Sequence, residues 1–78
     1  MTVVVETAGP LTYVGRFDTK DASGVHLLDV GVHDAAGGGT REDFVRRSAR
    51  FGVRTDRKHL VVPRAQVARI TRLGDVDS

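Results

Sequence analysis

Residues 11–34 constrain the fold most strongly, because they predict two long β-strands joined by a short polar turn. In the first half, apolar and polar residues alternate with a period of two, which indicates a half-buried strand. Gly15 lies in the middle of that strand, where glycine is unfavourable unless the strand bends or another backbone comes close. Residues 25–32 are apolar on both faces and predict a central strand. The connection, residues 19–24, is rich in the turn-forming residues Asp, Ser and Gly.

Shorter segments complete a set of five predicted strands. Residues 2–6 form a β-branched run, residues 59–62 form a short apolar strand, and residues 66–73 predict the last strand. Residues 63–65 predict a tight turn, because proline ends a strand. We therefore expect a mainly β, small α+β domain with one inserted helix.

Residues 40–51 predict that helix, between strands 3 and 4. Thr40 can cap its amino end and Gly52 can end it, with Asp43 placed as in a capping box. Its apolar stripe predicts that Phe44 and Phe51 dock on another surface, which the sequence does not identify. Its arginines are expected to face solvent: Arg46, Arg47 and Arg50.

The length of 78 residues predicts one domain, residues 1–78, with a helical insertion at about 35–58 and a frayed tail at 74–78. A chain this short buries a modest core, and it has no cysteine for disulfides or for thiolate-bound zinc. Oligomerisation is the remaining way to reinforce the fold, so we expect a homo-oligomer.

Neither a membrane span nor a signal peptide is expected. No apolar run approaches ~18 residues, and Met1 is not followed by a basic segment. Together with the absence of cysteine, this leads us to expect a cytoplasmic protein without a membrane partner.

The net charge of +2 is distributed unevenly along the chain. Residues 1–38 carry two basic and five acidic residues, whereas residues 39–78 carry ten basic and five acidic residues, and nine of those ten are arginine. Arginine favours bidentate contacts with phosphate or carboxylate, so an anionic partner such as RNA is one interpretation. An ordinary solvated face is the other, and it is the commoner reason for such a pattern.

Two local patterns point to a known family. Gly15, Phe17 and Asp21 have the spacing of a mid-strand glycine, an apolar residue two positions later and an aspartate six positions later. Residues 60–70 contain a short apolar strand, a tight turn and a last apolar strand, LVV, PRA and QVARI. These patterns resemble the two motifs of the Sm-like small β-barrel family, which includes the LSm proteins and the bacterial RNA chaperone Hfq. The strings LTYVGRFDTKD, DVGVHD and LVVPRAQV are also similar to a group of small uncharacterised bacterial proteins, and no activity comes with that similarity.

The resemblance covers residues 2–33 and 59–73. It implies a five-stranded, strongly bent Sm-like barrel that assembles into ring-like homo-oligomers through its edge strands. The chain departs from the family by starting with a strand and by its helical insertion. Val25 or His26 stands where the family has a base-contacting asparagine, and Pro63-Arg64 replaces an Arg-Gly pair.

The candidate ligand residues follow from basic character and from position in the predicted turns. Arg64 lies in the turn that faces the central pore in Sm-like rings, and we expect it to contact RNA together with His26, Lys58 and His59. Tyr13 and Phe17 alternate as base-stacking residues do, but core packing is their commoner role. We expect no metal site, no cofactor and no catalytic residue, because no histidine or serine stands in a ligand or nucleophile pattern.

The sequence therefore predicts a non-catalytic, oligomeric Sm-like domain that binds RNA or another anionic ligand through basic loop residues. The alternative is a protein-interaction or structural oligomer with no nucleic-acid role, in which the helix presents the docking surface.

Overall fold

The predicted hairpin is the centre of the fold. A computed structural model describes residues 1–75, and it contains five strands and one α-helix in that range. In chain order these are β1 (Thr2–Thr7), β2 (Leu11–Asp21), β3 (Gly24–Asp34), α1 (Arg41–Phe51), β4 (Arg57–Pro63) and β5 (Val67–Arg72). Short 3-10 turns follow β3, β4 and β5, at Ala35–Gly37, Arg64–Gln66 and Leu73–Asp75. The prediction of a mainly β domain with a helix between strands 3 and 4 is confirmed.

The strands form one antiparallel sheet in the order β4-β3-β2-β1-β5. The sheet is open, because β4 and β5 lie at its two edges and no ladder joins them among the described residues. The closed Sm-like barrel that we expected is therefore not confirmed. The three residues between these strands form a 3-10 turn, so β4 leads into β5 without making a hairpin with it.

One face of the sheet holds the hydrophobic core. Four of the five strands contribute its buried side chains, which are Val3, Val5, Tyr13, Val25, Leu27, Val30 and Val62. Val67 of β5 packs against this cluster, as do Leu11, Phe17, Val32 and Leu60. Helix α1 lies against the opposite face of the sheet, where Arg41 contacts Thr12 and Phe44 contacts His33. The core is therefore enclosed by the bent sheet and not by the helix. The core role of Tyr13 and Phe17 is confirmed.

Two irregularities in the β2–β3 ladder bend the hairpin. The register shifts between Val14 and Arg16 and again between Phe17 and Thr19, as in β-bulges. At the first shift Asp29 has a positive φ of 51°, a conformation that aspartate tolerates better than most residues. A Cβ on Gly15 would come within 3.1 Å of the Leu28 carbonyl oxygen, so the mid-strand glycine permits this close approach.

Helix α1 begins and ends where the sequence predicts. The Thr40 side chain accepts a hydrogen bond from the Asp43 amide at 3.0 Å, and Gly52 follows with a φ of 92°. Phe44 stacks on His33 of β3, with ring centroids 5.1 Å apart. Phe51, however, is 78% exposed. The prediction that both phenylalanines dock is wrong for Phe51, which is the last residue of the helix and lies past its buried residue Ser48.

The boundaries of the last elements differ slightly from the sequence expectation. Strand β4 starts at Arg57, two residues before the predicted start, and β5 spans Val67–Arg72 instead of residues 66–73. Asp56 joins the returning segment to β3, since its carboxylate accepts from the Val32 amide at 3.0 Å. Of the tail predicted at 74–78, residues 76–78 lie outside the described range. Within residues 1–75, no helix is long and apolar enough to cross a membrane.

Candidate functional site

Two of the four predicted ligand residues meet across the neighbouring strands β3 and β4. His26 lies on β3 opposite Val61 of β4, and His59 of β4 lies opposite Leu28 of β3. The two histidines are therefore diagonal neighbours on one face of the sheet, where side chains can touch. Nδ1 of His26 is 3.4 Å from Nε2 of His59. We call these two residues the histidine pair.

The two rings of the histidine pair meet edge to edge. Their centroids are 5.6 Å apart and their planes differ by 22°. Because the facing nitrogens are only 3.4 Å apart, the nitrogens lie between the centroids rather than above one another. The pair is thus arranged for sharing a hydrogen along its N–N line.

Asp21 holds His26 from the other side. Its Oδ2 is 3.0 Å from Nε2 of His26, and its Oδ1 accepts hydrogen bonds from the amide and the hydroxyl of Ser23. The Ser23 hydroxyl, followed by the hydrogen bond with His26 and the Ser23 amide, lowers the pKa of Asp21 from 3.8 to about 2. Asp21 thus bonds the Ser23 backbone amide within the turn, as turn aspartates commonly do.

A groove next to the hairpin turn contains the third predicted ligand residue, Arg64. The groove has a volume of about 220 Å³. Its charged residues are Arg64 and Lys20, and its other lining residues are Gly24, Val25, Val67 and Ile70. We call it the Arg64 groove. Ile70 is 39% exposed, so part of the apolar lining is open to a ligand.

The register explains why these residues come together. Gly24 pairs with Pro63, and Lys20 pairs with Val25. A Cβ on Gly24 would meet the Val62 carbonyl oxygen and the Arg64 amide nitrogen. Only glycine therefore fits where the start of β3 touches the turn that carries Arg64. Lys20 was missed in the sequence analysis, although its place beside the hairpin turn was a usable signal.

Lys58 does not join this group. It lies five residues before Pro63 on β4, a separation of about 17 Å at roughly 3.4 Å per strand residue. It also neighbours His59, and adjacent strand side chains point to opposite faces. The structure thus brings His26 and His59 into contact, places Arg64 at the same end of β3, and leaves Lys58 apart.

The other histidine, His33, has a packing role. Its ring is covered by Phe44, and among the described residues its buried Nε2 has no hydrogen-bond partner. The neighbouring Asp34 instead accepts from the Ala36 amide at 2.9 Å and caps the 3-10 turn. His33 therefore packs against helix α1, whereas Asp34 caps the 3-10 turn that follows β3.

Within residues 1–75, no group of three or more His, Cys, Asp or Glu side chains is arranged to hold a metal ion. Comparison of the chain with protein-family models, with curated proteins and with solved structures gave no match. The functional argument therefore depends on the residues of this chain alone.

Proposed function

We propose that this chain is a non-catalytic subunit of an Sm-like homo-oligomer that binds single-stranded RNA at the Arg64 groove. One observation carries the proposal: Arg64 and Lys20, from separate strands and turns, line the same groove beside apolar side chains. Two cations next to an apolar surface suit a nucleotide, whose phosphate is anionic and whose base has an apolar face.

The size of the groove favours a single strand over a duplex. A volume of about 220 Å³ accepts one unstacked base, whereas a duplex keeps its bases stacked and paired. Phosphate contacts from Arg64 and Lys20 would hold the strand, and the apolar lining would hold the base.

The open sheet supports the oligomeric part of the proposal. Within residues 1–75, strands β4 and β5 each pair with a single neighbour, so each has a row of backbone groups available for another strand. Pairing of β4 from one copy with β5 of the next would satisfy these groups. It would also repeat the Arg64 groove once per subunit around a ring.

The test is binding of a fluorescein-labelled single-stranded RNA of ten nucleotides, followed by fluorescence anisotropy at several salt concentrations. We expect Arg64→Gln to weaken binding about tenfold, the order expected for a lost charge-assisted contact. We also expect it to reduce the slope of log K against log salt by about 0.7.

Arg50→Gln is the matched control, because it removes the same charge from an exposed helix position beside Phe51. It should leave affinity and salt slope near those of the native protein. Equal weakening by the two variants, or native binding without a salt slope, would contradict a phosphate site at the groove.

A protein-interaction oligomer without RNA is the second candidate, and the exposure of Phe51 favours it. The ring is 78% exposed, and the Arg50 guanidinium lies 5.3 Å from its centroid. Aromatic and arginine side chains are enriched in protein interfaces. Under this alternative, Phe51→Ser would dissociate a nuclease-treated assembly and the RNA assay would show no binding.

A further inference from the structure

The spacing of the histidine pair matches two ligands of one metal ion. Two ring nitrogens face each other at 3.4 Å, a distance at which they can share a hydrogen or bind one cation together. In a tetrahedral zinc site with bonds of about 2.05 Å, two nitrogen ligands lie about 3.3 Å apart. Nδ1 of His26 and Nε2 of His59 are therefore already at the separation of two ligands of one ion, and the rings need only tilt until both lone pairs point at it.

Asp21 fixes the tautomer that such a site requires. A carboxylate oxygen only accepts hydrogen bonds, so Nε2 of His26 carries the ring hydrogen where it meets Asp21 at 3.0 Å. Nδ1 is then the nitrogen with the free lone pair, and it is the one that faces His59. Metal-bound histidines commonly donate their second N–H to a carboxylate, which fixes the ring and raises its basicity. The Asp21 carboxylate is itself held in place by hydrogen bonds from the amide and the hydroxyl of Ser23.

The surroundings combine a rigid backbone with access to solvent. Both histidines lie on paired strands, β3 and β4, whose ladder runs through their positions. The His26 side chain is 18% exposed and His59 is exposed, so water can supply the remaining ligands. The site would have two protein ligands and water at its other positions. It is therefore a different arrangement from the groups of three or more ligating side chains, of which residues 1–75 contain none.

We propose that His26 and His59 bind one divalent transition-metal ion of the Zn²⁺ class, with Asp21 as the carboxylate that orients His26. Imidazole nitrogen suits zinc, copper and nickel, whereas magnesium and calcium prefer oxygen ligands. The site does not depend on RNA binding, since neither Arg64 nor Lys20 belongs to it.

Calorimetric titration of the metal-free full chain with ZnCl₂ tests the site. We expect one ion per chain, and we expect His26→Gln and His59→Gln each to abolish saturable binding. Asp21→Asn should weaken binding roughly 10–100-fold, the usual effect of losing the carboxylate behind a histidine ligand. Asp18→Asn is the control, because it removes an exposed carboxylate from the same strand and should keep native affinity. His33 is present in every variant.

Imidazole ¹H–¹⁵N spectra of the native protein give a second readout that needs no substitution. Zinc should shift Nδ1 of His26 and Nε2 of His59 together and leave His33 unchanged. Saturable binding that persists in His59→Gln, or zinc shifts of equal size at all three histidines, would overturn the proposal. Absence of any saturable zinc binding to the native chain would also overturn it.

Discussion

At the scale of single residues, the turn from Asp21 to Gly24 determines the chemistry of the hairpin end. Asp21 closes the turn by accepting from Ser23 and orients His26 on the next strand. Gly24 lets β3 start directly beside the turn that carries Arg64. A side chain at Gly24 would separate the groove from the hairpin, and a residue other than Asp at position 21 would release His26.

The hydrogen bonds of Asp21 predict its titration. Its folded-state pKa of about 2 is below the usual 3.8. The ionised carboxylate therefore stabilises the fold above about pH 3.8, and this contribution is lost as the pH falls through 2. We expect Ser23→Ala to move the pKa upward, since the Ser23 hydroxyl is the largest cause of the shift. A ¹³C NMR titration of the carboxyl groups, with chelator present, measures the change.

An Asp21 resonance that titrates near 3.8 in the native protein would contradict the hydrogen bonds described for the turn.

Residue-level chemistry was only partly predictable from the sequence. The turn role of Asp21 follows from the backbone preferences of aspartate, which are local. The contact between His26 and His59 is not local, because it depends on the register of β4 against β3. A slip of one residue would place His59 on the other face. Both histidines were predicted as ligands, but their pairing could be seen only in the fold.

At the scale of elements, helix α1 shows which part of an amphipathic pattern reaches the sheet. Its capping residues and acidic first turn fix where it begins, and these signals are present in the sequence. How many helix residues touch the sheet depends instead on how the helix is placed against the strands, which the helix sequence does not determine. Phe44 therefore packs as expected, whereas Phe51 projects beyond the sheet.

This difference predicts unequal effects of two matched substitutions. Phe44→Ser should lower the free energy of unfolding by about 2–4 kcal/mol, since it removes a ring packed on His33. Phe51→Ser should change it by less than about 0.5 kcal/mol, the usual range for exposed positions. Urea unfolding monitored by circular dichroism measures both, in samples diluted until no association is detected. Equal losses for the two variants would show that Phe51 also packs within its own subunit.

At the scale of the whole molecule, a bent open sheet encloses a core with little help from other elements. The hairpin of residues 11–34, the five strands and the inserted helix were all predictable, because they arise from local periodicity and turn residues. Closure of the sheet depends on how far the two bulges bend the hairpin and on where the last strands lie. These quantities have no local signal in the sequence.

The most direct test of the proposed assembly is the mass in solution. Multi-angle light scattering of nuclease-treated protein, eluting from a sizing column at micromolar concentration, compares the particle with the single-chain mass of 8.4 kDa. Pairing of β4 with β5 between copies predicts one particle whose mass is a fixed multiple of that value. A particle of 8.4 kDa across the whole concentration range would contradict the ring-like oligomer.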